Sequence, residues 1–171
     1  MTAVLLTALI LAVSCSGSSP SPEVETFFLD IETAFQTYDL RKQEITDEFN
    51  SHLPQVESTE DLEAIRREGL RAVLIAHGDF ESSLNDVKAV VGLTDEHGVL
   101  LQLIRTVGEK YAEELELRER GSADQIEPSE DQMETARAVG ALLAQCRTLQ
   151  RVADDRGVDV HLVCSPQERE R

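Results

Sequence analysis

Apolar residues recur at helical spacing over most of the chain. Val24, Phe28, Ile31, Phe35, Tyr38, Ile45 and Phe49 are separated by steps of four and three, interrupted once at Lys42. Such steps place side chains on one face of a 3.6-residue helix, so the segment predicts a first amphipathic helix turned towards a core. The aromatics at 28, 35, 38 and 49 are accordingly expected in the core rather than around a cofactor. Pro54 closes the segment, because the residue before a proline avoids helical angles. A second helix is predicted from Ser58, where Ser58-Thr59-Glu60-Asp61 offers a capping hydroxyl and acidic residues at the positive helix end. Leu62, Ile65, Val73, Ala76, Phe80, Leu84, Val87 and Val91 continue its stripe, and Gly92 is the expected stop. Gly69 and Gly78 inside it each weaken a helix by up to ~1 kcal/mol relative to alanine, which suits a close crossing or a kink.

Thr94, followed by Asp95 and Glu96, predicts the cap of a third helix whose face is Leu100, Leu103, Ile104, Val107, Tyr111 and Leu115. Residues 113–120 are highly charged and read as a solvated end, and 121–127 as a loop. A fourth helix should open after Pro128, with Ser129 and Gln132 in the capping-box arrangement. Its predicted buried face is Met133, Ala136, Val139, Leu143, Cys146, Leu149 and Val152, and Gly157 is its expected stop. From Val158 to Cys164 apolar and polar residues alternate, the period of an extended strand lying back across the helices. Four long amphipathic segments joined by short turns predict an all-α fold: an antiparallel bundle with a short extended C-terminal segment. No internal repeat is evident.

The first residues are of another kind. Met1 to Val13 form an apolar run broken only by Thr2 and Thr7. A bilayer-spanning helix needs about 20 such residues, whereas a run this short matches the apolar region of a secretory signal. Ser14 and Cys15 follow, and the chain then turns to SGSSPSPE. The stretch Leu11-Ala12-Val13-Ser14-Cys15 resembles the lipobox of bacterial lipoproteins. That resemblance implies removal of residues 1–14, a diacylglyceryl group on the Cys15 sulfur, and Cys15 as the new N-terminus. It makes a membrane the expected partner, on the extracytoplasmic side. Each buried methylene adds roughly 0.8 kcal/mol to anchoring, and two acyl chains hold stably where one does not. A plain secretory signal with an incidental cysteine, or a buried N-terminal helix, is the alternative reading of the same residues. Ser16 to Pro22 read as a tether, flexible through Ser and Gly and stiffened at Pro20 and Pro22, with a reach of about 20 Å. The expected division is 1–14 signal, 15–22 lipidated cysteine and tether, 23–165 acidic helical domain and 166–171 polar tail.

Composition narrows the function classes. Hydrophobic residues make up 41% of the 171-residue chain, enough for one folded domain with a core. Aromatics make up only 4% and tryptophan is absent, so that core must be mainly aliphatic. The balance of 33 acidic against 16 basic residues, formally −17, repels nucleic-acid phosphates and anionic lipid head groups. Nucleic-acid binding is therefore excluded as an expectation, and electrostatic adhesion to membranes with it. Solubility accounts for such a charge; attraction of cations or of a basic partner is the sharper alternative.

Candidate chemistry is sparse. With Cys15 assigned to lipid, Cys146 and Cys164 remain as an even pair. Outside the cytoplasm such a pair is expected to form a disulfide, two free buried thiols being the alternative. The spacing fits neither a CxxC redox pair nor haem attachment. None of His52, His77, His97 and His161 sits in a metal-binding pattern such as HExxH. Glu48 with His52, four apart on one helix face, and His77 near Asp79 are the nearest approaches to ligand sets. No GxSxG, GxGxxG or phosphate-binding loop is present, and adjacent carboxylates such as Glu113 and Glu114 point in different directions. No cofactor is expected. These readings favour a non-enzymatic, membrane-anchored binding or structural module of the cell envelope. The rival is a ligand- or metal-carrying bundle, with Glu48, His52 and His77 the first residues to test.

Overall fold

The protein's computed structural model describes residues 19–121 and 130–164. The expected signal segment, Cys15, most of the expected tether, the expected cap at Ser129 and the polar tail lie outside the described residues. Helix α1 spans Pro22–His52, opened by Ser21, whose hydroxyl accepts from the Val24 N–H, and by Pro22, which needs no hydrogen bond in the first turn. A single 3-10 turn, Leu53–Gln55, ends it beside Pro54. Helix α2 spans Thr59–Asn85, and Ser58 caps it by accepting from the Asp61 N–H at 3.1 Å. Helix α3 spans Thr94–Glu119 and α4 spans Glu130–Asp155. Among the described residues there is no strand, and no helix is long and apolar enough to cross a membrane.

Successive helices pack on one another in the order α1–α2, α2–α3 and α3–α4. The pairs that meet run in opposite directions along the chain. Phe35 packs against Phe80 and Phe49 lies over Gly69; Arg71 pairs with Glu119 and Glu81 with Arg105; Glu96 is bonded by Gln145 and Lys110 by Glu134. The molecule is thus an up-down-up-down antiparallel bundle, as the stripes predict. Its core joins Phe27, Phe28, Ile31, Phe35 and Tyr38 of α1 to Phe80 and Leu84 of α2, Leu100, Ile104 and Val107 of α3, and Leu142, Cys146 and Leu149 of α4. Most fully buried residues lie at the end where α1 begins. Towards the other end, Leu62, Ile65, Leu70, Leu115 and Leu117 are only half-buried.

The connection between α2 and α3 departs from the sequence reading. Helix α2 stops at Asn85, and residues 86–93 form a loop in which Val87 is buried and Val91 is 95% exposed. Val87 keeps its place in the core without helical backbone, because only burial was encoded by its spacing. Gly92, at φ +80°, serves a turn ahead of α3 rather than a stop to α2. Thr94 is not the cap of α3: Leu93 occupies that position with no side-chain cap, and the Thr94 hydroxyl reaches back to the Val90 carbonyl. Leu93 is fully buried, so packing selects the start of this helix in place of a polar cap.

In α4 the predicted stripe is slightly misplaced. Cys146 and Leu149 are buried and Val139, Leu143 and Val152 half-buried as predicted, but Met133 and Ala136 are exposed, and Thr135, Leu142 and Ala153 face inwards instead. Beyond Asp155 the helix ends as expected at Gly157. The Gly157 N–H bonds the Asp154 carbonyl and the Val158 N–H bonds the Ala153 carbonyl, the two reverse bonds of a Schellman motif, with φ +71° at the glycine. The segment that follows alternates as its sequence does: Val158, Val160, Leu162 and Cys164 are buried, and Asp159 and His161 are exposed.

Candidate functional site

The extended segment has no neighbouring strand, so side chains take the place of one. Gln150 of α4 donates through Nε2 to the Val160 carbonyl at 2.9 Å and accepts through Oε1 from the Leu162 N–H at 2.7 Å. Glu32 of α1 accepts from the His161 N–H at 2.7 Å. Cys146 and Cys164 are joined by a disulfide and are both buried. The segment therefore ties α4 to α1 across the open side of the helix series. Alternation made the segment legible in sequence; nothing marked Gln150 or Glu32 as its partners.

His77 is wholly enclosed, 2% exposed, where α1, α2 and α3 meet. Its Nε2 lies 2.7 Å from the Ile104 carbonyl and its Nδ1 lies 3.0 Å from the Tyr38 hydroxyl. A carbonyl can only accept, so Nε2 carries the proton and Nδ1 accepts from Tyr38, which defines a neutral imidazole in one tautomer. Burial holds its pKa below the ordinary 6.5, outweighing the raising effects of the Ile104 carbonyl and Glu81. Burial likewise pushes the Tyr38 and Tyr111 hydroxyls up. Both nitrogens being engaged, His77 presents no lone pair to a ligand. His97 is used in a similar way, its Nε2 at 2.9 Å from the Leu84 carbonyl and its ring edge-on to Phe27. Histidine spacing could not reveal these roles, because each depends on a carbonyl from another helix.

Glu48 and His52 do share a face, as their spacing predicts. They lie at the far end of the bundle, on a groove of about 100 Å³ whose other walls are Ile45, Phe49, Ile65, Glu68, Gly69 and Ala72. His77 is not among its lining residues, so the structure separates it from the Glu48/His52 pair. Among the described residues no group of three histidine, cysteine or acidic side chains is placed to hold a metal ion. A wider groove of about 480 Å³ runs between the start of α1 and the loop at 88–91, with Phe27, Val90 and Val91 in its walls.

Charged side chains at the far end are largely consumed in pairs. Arg118, 13% exposed, bonds both Glu63 and Glu114, and Glu63 also pairs with Arg66. Burial alone would raise the pKa of Glu63, but Arg66 and Arg118 together bring it below the usual value. The Arg118–Glu63 pair fastens α2 to α3, and the cluster gathers no reactive constellation. Compared with family models, with curated proteins and with solved structures, the chain finds no match.

Proposed function

We propose that the protein is a lipoprotein of the cell envelope, anchored through Cys15, whose helical bundle is a non-enzymatic binding or structural module. The observation that carries this reading is the apolar run of residues 1–13 ending in Ser14-Cys15 and followed at once by a Ser/Pro spacer. The Cys146–Cys164 disulfide supports it, since such bonds persist in oxidising compartments and it leaves Cys15 as the unpaired cysteine.

In this reading the bundle has a defined orientation. Helix α1 has 31 residues and is about 46 Å long at 1.5 Å per residue. The tether from Cys15 to Pro22 reaches about 20 Å. It is too short to let the molecule invert, so the end carrying the disulfide and the Val91 loop lies nearer the lipid. The end carrying Glu48 and His52 points outwards or to the side.

The test is an intact mass on protein from growing cells, together with a Cys15→Ser variant. The expected mass lacks residues 1–14 and carries a diacylglyceryl group, and the variant moves from the membrane to the soluble fraction. Retention of the first fourteen residues, or a variant that stays in the membrane fraction, overturns the reading.

A further inference from the structure

The groove that holds Glu48 and His52 has a chemistry none of the roles above uses. Its floor is apolar: Ile45, Ile65, Ala72, the ring of Phe49 and the bare backbone of Gly69. Its rim carries Glu48 and Glu68, one from each helix, both exposed. Among the described residues neither carboxylate forms an ion pair, although Glu44, Glu63, Glu81, Glu114, Glu116 and Glu119 all do. The volume, about 100 Å³, is well below the ~300 Å³ at which small-molecule sites begin. A small apolar notch edged by two carboxylates outside any ion pair among the described residues, by His52 and by an aromatic ring matches one kind of guest. That guest has a methylene stem to fill the floor and a cationic head to meet the rim.

We propose that this notch receives a lysine or arginine side chain from a basic surface of a partner protein. The stem lies along Ile45, Ile65 and Ala72, and the head sits between Glu48 and Glu68 beside Phe49. The acidity of the whole chain, formally −17, draws such a surface in, while the notch supplies the register that charge alone lacks. Binding at this site does not depend on the anchor. Only its outward placement rests on the lipoprotein reading, so either can fail without the other.

The test titrates the full chain, isotope-labelled and observed by amide NMR, with acetyl-Ala-Lys-Ala-amide and with the same peptide carrying norleucine for lysine. The lysine peptide is expected to give saturable shifts centred on Phe49, Gly69 and Ala72. The norleucine peptide, and the lysine peptide on Glu48→Gln/Glu68→Gln protein, should each bind about tenfold more weakly, the loss of two solvent-exposed ion pairs. Gly69→Ala separates binding from folding. Its added methyl meets only Phe49, at an ordinary 3.7 Å, and improves helix propensity, so the protein should melt no lower while the notch narrows and the peptide binds severalfold more weakly. Equal binding of the norleucine peptide would show an apolar notch without cation recognition and overturn the proposal. So would shifts that never saturate, that spread evenly over the acidic surface, or that survive both sets of substitutions.

Discussion

Single residues in this bundle are decided by what stands opposite them. Gly108 looks like a helix-weakening defect, yet a Cβ built there falls 3.0 Å from Cδ2 of His77 and 3.4 Å from its Nε2. The ring cannot step aside, because both its nitrogens are held. Gly108→Ala should therefore destabilise the protein by about 1–2 kcal/mol, the overpacking cost exceeding the propensity gain. Gly140→Ala, with nothing within 4 Å, should stabilise by roughly 0.5–1 kcal/mol. Urea denaturation of the two variants checks both signs at once. His77 also makes stability depend on pH. Its folded pKa is lowered, so below the ordinary 6.5 the unfolded chain binds a proton that the folded protein refuses. Stability attributable to His77 is complete above that value and declines as pH falls, by at most about 1.4 kcal/mol per unit until the folded pKa is reached. The groups facing the ring are Tyr38 and Lys42 of α1, Glu81 of α2 and Tyr111 of α3. Urea midpoints between about pH 7.5 and 5 should diverge for the wild type and His77→Gln, the wild type losing more. Parallel curves would mean that His77 does not take up the proton differently on unfolding.

At the scale of elements, caps and turns follow local chemistry only where packing does not intervene. Ser58 accepts from the Asp61 N–H as its sequence context predicts, and Ser58→Ala should cost about 1 kcal/mol. Thr94 stands in an equally persuasive context but lies inside the first turn of α3, because burying Leu93 sets where that helix begins. Thr94→Ala should accordingly change stability by no more than about 0.5 kcal/mol. Thermal melts of the pair distinguish a cap from a residue that merely resembles one. The C-terminal segment depends on α4 in the same non-local way. Gln150→Ala removes a donor and an acceptor from the backbone at Val160 and Leu162, and should cost about 1–3 kcal/mol. Amide exchange at Leu162 should quicken with it, while exchange in α2 responds only through global stability. The period of α4 was legible and so was most of its phase, since Cys146 and Leu149 are buried and Val139, Leu143 and Val152 half-buried; only the first two positions miss. Met133 and Ala136 satisfied the spacing, and which flank of an apolar arc is covered depends on the neighbour that covers it.

For the whole molecule, the disulfide closes what the helix series leaves open. Replacing Cys146 and Cys164 together by serine should lower stability by about 3 kcal/mol, the loop-closure value for their separation. Calorimetry on the double variant checks the size, and an unchanged transition would mean that Gln150 and Glu32 hold the segment alone. Four helices, their order along the chain, the alternating tail and the Glu48/His52 face could all be read from the sequence. Hydrophobic period and turn chemistry are properties of short stretches, and they survive in any fold that buries the stripes. The sequence could not reveal that His77 is a satisfied core residue, that Gly108 makes room for it, that Gln150 stands in for a strand, or that Glu68 joins Glu48 over an apolar floor. Each of these depends on which groups of different elements are brought together, and only the packing of one element on another decides that.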